Sequence, residues 1–171
     1  MQWFQRYIAK MAGGHTLPQS PRITSAIIAG IGATCAIATT AGLSELTGTA
    51  LLMAPFGASC FLAFAVPESP LAQPRNIVFG HLISMIVGML VLSVVGEGWL
   101  SVAVAVGLAV VMMQITRTGH PPAGADPLVI FALHPSFGYL LFPVLTGAIL
   151  IALVALIFNN LRSDVRYPKY W

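Results

Sequence analysis

Apolar residues in this chain come in long unbroken runs rather than in strict alternation. Four runs, Ile23 to Leu43, Asn76 to Gly96, Trp99 to Thr116 and Phe137 to Leu161, contain no formal charge. At about 1.5 Å per residue each is long enough to cross a hydrocarbon layer roughly 30 Å thick. Two shorter runs, Thr49 to Val66 and Pro122 to Leu133, are interrupted by proline and glycine. This pattern predicts an all-α, polytopic membrane protein in which long spans alternate with short, broken helices.

Composition agrees: 57% of the 171 residues are hydrophobic and only 8% charged, a balance far from that of a soluble domain. The net charge of +3 gathers at the ends, with Arg6, Lys10 and Arg22 before the first span and Arg162, Arg166 and Lys169 after the last. Basic flanks set topology, so residues 1–22 and 162–171 are expected to be cytoplasmic segments around a membrane domain at 23–161, with no role in nucleic-acid binding. The first apolar run lacks a small-residue cleavage signal, and the N-terminal segment lacks the Ser/Arg richness of a transit peptide. The expectation is an uncleaved first span in a bacterial plasma membrane. Cys35 and Cys60 lie in apolar runs and offer neither a disulfide framework nor metal spacing, and no cofactor is expected.

Sliding the chain against itself by 67 residues sets "PFGASCFLAFAVPES" from Pro55 over "PAGADPLVIFALHPS" from Pro122, with six of fifteen positions identical. Pro55 falls on Pro122, Gly57 on Gly124 and Ala58 on Ala125; Gly80 and Gly147 match further on. The reading is a duplicated unit of span, broken segment and span, over 23–96 and 99–161. If the broken segments cross, there are six spans, Arg75 and Arg117 share the cytoplasmic side, and the halves are inverted relative to each other. If they turn back, four spans remain and both arginines lie outside. Positive charge favours six.

The broken segments also hold the candidate chemistry. A residue before proline is pushed away from helical dihedrals, so Asp126 before Pro127 is predicted to cap a short helix, and Ser59 to cap its counterpart. The amides of Gly57, Ala58, Gly124 and Ala125 would then face one another as a small-anion site, since helix N-termini carry partial positive charge. Pro55, Pro121, Pro122 and Pro127 shape the breaks. Arg75, His81, Arg117 and His120 could add positive charge at the approaches. Arg117 reads first as a topology anchor, and His81 equally as a hydrogen-bonded core histidine or a pore residue. A buried Asp126 would repel an anion unless it caps the helix, pairs with His120 or Arg117, or is protonated, and protonation would couple the site to protons. His15 and His134 receive no role. There is no nucleophile elbow, no HExxH and no Gly-rich loop after a strand, so an enzyme is not expected.

"GHPPAGADPL" and "SPLAQPRNIVFGH" resemble the HPP family of integral membrane proteins, named for the motif that here is His120, Pro121 and Pro122. The resemblance runs from about Arg22 to Leu161. It implies a membrane domain described with four transmembrane helices and transport of nitrite or a similar small anion. Competing readings are a channel for a small neutral solute, the protonated form of a weak acid included, and a membrane scaffold or subunit that transports nothing. Spans rich in Gly, Ala, Ser and Thr suit close helix packing, and a homodimer or other homo-oligomer is expected.

Overall fold

The computed structural model describes residues 2–171, and among them the regular structure is helical throughout. Three stretches are long and apolar enough to cross a membrane: α2 (Ile23–Thr47), α4 (Pro74–Val95) and Phe137–Asn160, whose last part is α7 (Thr146–Asn160). Helix α5 (Trp99–Ile115) is shorter at 17 residues. The boundaries have local causes. Helix α2 stops at Gly48, which takes φ +64, and α4 begins at Pro74 after an extended Gln73 and stops at Gly96, φ +84. Both are glycines because positive φ strains any side chain.

The broken segments are α3 (Pro55–Ala65) and α6 (Asp126–Leu133). With 11 and 8 residues, they rise about 16 and 12 Å, roughly half the thickness of a hydrocarbon core. The remaining distance is covered by irregular chain: residues 48–54 before α3, and residues 116–120 plus a 3-10 turn, Pro121–Ala125, before α6. Irregular backbone at that depth must be covered by protein, and α4 lies against both segments of the second break.

Cross-chain bonds identify the two ends of the bundle. At one end, Arg75 donates to the Thr116 carbonyl (3.1 Å), Asn76 to the Gly119 carbonyl (2.8 Å), and Lys169 pairs with Glu68 (2.8 Å). At the other, His134 meets Glu97 (3.2 Å) and Ser44 donates to the Thr49 carbonyl (2.7 Å). Arg75 and Arg117 therefore share one end.

The expected caps are not formed. Asp126 is itself helical (φ −61°, ψ −41°), and its side chain caps nothing. The 3-10 turn feeds straight into α6, so the Asp126 amide already donates to the Ala123 carbonyl and the carboxyl group is left for other partners. Ser59 is the fifth residue of α3, whose start is closed by backbone bonds from Phe56 to Met53 and from Gly57 to Ala54 (3.1 and 3.3 Å). Those bonds consume the Gly57 amide, and the facing pair of free helix ends does not exist.

Phe56, Phe64, Ile77, Met85, Ile130 and Ile151 fill the core between α3, α4, α6 and α7. Small residues set the close approaches. A Cβ on Gly80 would lie 2.7 Å from His120 Cβ and 3.0 Å from the Thr118 carbonyl oxygen, and one on Gly147 would run into the Leu51 carbonyl and the Phe56 ring. At Gly57 and Gly124 the same atom would meet nothing within 4 Å.

The C-terminal residues are docked rather than free. Tyr167 is buried and donates to the Ala72 carbonyl (2.6 Å), and the Lys169 amide donates to Gln73 Oε1 (2.7 Å). Burial pushes the Tyr167 phenol up from its ordinary value, which keeps it a donor.

At the other terminus, α1 (Gln2–Met11) buries nothing against the bundle. Trp3, Phe4, Tyr7, Ile8 and Met11 line one side of it, with Trp3 stacked on Tyr7 at 5.6 Å, and Gln2, Gln5, Arg6 and Lys10 line the other. Two such faces suit a helix to the membrane interface. With Trp99 and Trp171 replaced by Phe, Trp3 fluorescence is expected to be quenched by headgroup-level nitroxide lipids and shielded from aqueous iodide. Full iodide access would place α1 in water.

Candidate functional site

Four polar side chains meet in the interior of the bundle. Ser59 Oγ of α3 lies 2.8 Å from His81 Nε2 of α4 and 2.8 Å from Nε2 of His120, the last residue before the 3-10 turn. His81 Nδ1 is 2.8 Å from Asp126 Oδ2 at the start of α6, and His120 Nδ1 donates to the Leu71 carbonyl at 2.8 Å. None of the four side chains reaches the surface: Ser59, His81 and Asp126 are 0% exposed and His120 is 1%. The two imidazoles cross edge to face at 5.1 Å, and Phe56 closes over His81 at the same separation. The second oxygen of Asp126, Oδ1, has no partner.

Each position has a local reason. Gly80 lets His120 and the chain leading to it press against α4 one residue before His81. Ser84, one turn beyond His81, donates to the Ala123 carbonyl at 2.6 Å and ties α4 to the turn that presents Asp126. Pro122 and Pro127 are buried and brace that turn, Pro55 is buried at the start of α3, and Pro121 is exposed.

The predicted site residues divide into two groups. Ser59, His81, His120 and Asp126 come together. Gly57 and Ala58 are exposed and Gly124 and Ala125 half-buried, on the outer side of the broken segments. Ala58 and Ala125 line, with Pro55, Phe61, Pro122 and Leu128, an apolar groove of about 780 Å³ between α3 and α6. Arg75 is a brace at the end of the bundle, where its guanidinium holds the Thr116 carbonyl, and Arg117 is exposed there with φ +56°. Neither contributes to the cluster. Asp126 is paired, but with His81 rather than with His120 or Arg117. The sequence reading missed Ser84 and the Leu71 carbonyl; the Ser84 hydroxyl falls one turn after His81 on the same face of a helix, a spacing that could have been noticed.

This arrangement defines a polytopic helical membrane protein whose two discontinuous segments enclose a polar cluster. The chain belongs to the HPP family, whose transmembrane region matches residues 18–168. Two transmembrane proteins of Dictyostelium discoideum are similar to it. One is 36% identical over 129 residues, covering 71% of this chain and 45% of its own length. The other is 38% identical over 131 residues, covering 72% and 42% respectively. The chain thus spans less than half the length of the curated relatives it matches. No solved structure matches it.

Proposed function

We propose that the chain carries a small monovalent anion of a weak acid, of the nitrite class, across a membrane, with both termini on the cytoplasmic side. The observation that supports transport is the buried cluster itself. Four polar side chains with no surface exposure are costly in a membrane protein, and such groups sit where a solute or proton passes. Discontinuous helices that meet between the ends of a bundle build sites of this kind in transporters made of inverted repeats. A repeat is supported by the close approaches: Gly80 against the Thr118 carbonyl and Ala123 is matched by Gly147 against the Leu51 carbonyl and Phe56, every residue 67 positions from its counterpart. With six crossings the halves run in opposite directions. The sharing of one end by Arg22, Arg75, Arg117 and Arg162 supports the cytoplasmic assignment of that end.

The apolar lining of the groove between α3 and α6 favours a second reading, passage of the neutral acid rather than its anion, because an uncompensated charge is expensive there. Proteoliposomes separate the two. Uptake of nitrite that responds to an imposed membrane potential is expected for the anion. Acidification of the lumen with no current identifies the neutral acid, and no uptake above protein-free vesicles under any gradient rejects transport. A homo-oligomer is part of the proposal, and its expected sign is a cross-linked dimer in native membranes.

A further inference from the structure

We infer that Asp126, His81, Ser59 and His120 form a one-proton relay whose two ends are the Asp126 carboxyl and His120 Nε2. This rests on the transport reading for its purpose, but its geometry stands independently. The argument begins at the Leu71 carbonyl. A carbonyl only accepts, so His120 Nδ1 must carry a proton, and in a neutral imidazole Nε2 is then bare and accepts from the Ser59 hydroxyl. Ser59 has a single proton to give, and bare His120 Nε2 at 2.8 Å takes it in preference to the Pro55 carbonyl at 3.4 Å, so the Ser59 oxygen must accept from His81, which fixes the His81 proton on Nε2. His81 Nδ1 is therefore bare and needs a donor, and the atom facing it is Asp126 Oδ2, which supplies one only as a protonated carboxyl. One carbonyl thus sets every proton position along the chain, with opposite tautomers on the two histidines.

The same bonds permit one alternative arrangement without loss. Asp126 gives its proton to His81 Nδ1, His81 gives its Nε2 proton to Ser59 Oγ, and Ser59 gives its own proton to His120 Nε2. Each intermediate group loses one proton and gains one. The result is an Asp126 carboxylate, a neutral His81 of the other tautomer, an intact serine hydroxyl and a cationic His120 still bonded to Leu71. The three bonds between side chains survive with their directions reversed, and the bond to the Leu71 carbonyl keeps its own. The unpartnered Oδ1 favours the first arrangement at rest, since a buried carboxylate with an orphaned oxygen costs more than a neutral carboxyl.

No other charge competes for this proton. Of the elements packed on α6, α5 carries no titratable side chain and α4 carries only His81 and the distant brace Arg75. Helix α3 carries Cys60, whose side chain belongs to the apolar core. Tyr139 is the remaining titratable group near Asp126.

The test is solid-state NMR of histidine-15N protein in lipid bilayers, titrated from pH 8 to pH 5. At pH 8 the expected spectrum has His120 protonated on Nδ1 and His81 on Nε2. The relay keeps its proton count, so any movement of that proton should change both signals together, His81 passing to Nδ1 as His120 becomes doubly protonated. In Ser59→Ala the two histidines should titrate separately, and in Asp126→Asn, whose amide donates to His81 Nδ1, His81 should stay locked on Nε2. Identical tautomers at pH 8, or coupled titration that survives Ser59→Ala, overturns the relay. Nitrite uptake by the same preparations separates the two ideas: a correct tautomer pattern without uptake rejects transport alone, and uptake with uncoupled histidines rejects the relay alone.

Discussion

Gly147→Ala is expected to remove most folded protein from the membrane, and Gly80→Ala to come close to it, while Gly57→Ala and Gly124→Ala should fold as well as the parent or better. The difference is what each new methyl meets. At Gly147 it collides with the backbone carbonyl of Leu51 and the ring of Phe56, neither of which can turn aside, because Phe56 is itself fully buried. At Gly80 it is driven into His120 Cβ and the Thr118 carbonyl. Overpacking of a tight interior costs about 1–3 kcal/mol when neighbours can shift and more when they are backbone. That is a large share of the roughly 5–15 kcal/mol that holds a typical domain together. Gly57 lies inside α3 with open space beside it, so the methyl there should instead stabilise by up to about 1 kcal/mol through helix propensity. Thermal midpoints from fluorescence-detected size exclusion would rank the four variants. Equal losses at Gly57 and Gly147 would show that these contacts do not govern the fold.

The sequence singles out Gly57 and Gly124 as site residues, whereas the tight contacts fall to Gly80 and Gly147, and that difference marks how far sequence could reach. The long spans, the two breaks, the shared end of Arg75 and Arg117 and the family were all legible, because run length, proline, glycine and charge act locally. Gly57 and Gly124 drew attention because they sit in the repeated motif, but which side of a short helix faces protein depends on packing that no local pattern encodes. Asp126 was misplaced for a related reason. The rule that a residue before proline avoids helical dihedrals is statistical, and here a preceding 3-10 turn carries the chain into the helix regardless. His120 and Asp126 could be singled out as odd residues for a membrane, but their meeting through Ser59 and His81 depends on α3 and α4 lying between them. Helix α1 falls within the basic segment 1–22, and its amphipathic faces are legible at 3.6-residue spacing.

The largest effect on activity is expected at the His81 and Asp126 pair, and a cycle of leucine substitutions would show how the pair contributes. Asp126→Leu leaves His81 Nδ1 buried with no partner, and His81→Leu leaves both Ser59 and the Asp126 carboxyl short of one. A buried polar group stripped of its partner costs roughly 1–3 kcal/mol, whereas replacing both members by apolar groups of similar size is close to neutral. The double variant is therefore expected to be more stable than either single one, with a coupling of about 1 kcal/mol or more. Nitrite uptake should not recover with it. All three variants are expected to lose at least tenfold in rate, the equivalent of about 1.4 kcal/mol of barrier, because the double variant restores packing but supplies no proton and no polar path. Asp126→Asn keeps the hydrogen bond to His81 and should keep the parent's stability while losing the response of uptake to a pH gradient. A double variant that folds well and transports at the parental rate would reduce the cluster to a structural feature of the core. Stability that falls additively across the cycle would mean that His81 and Asp126 do not act as a pair at all.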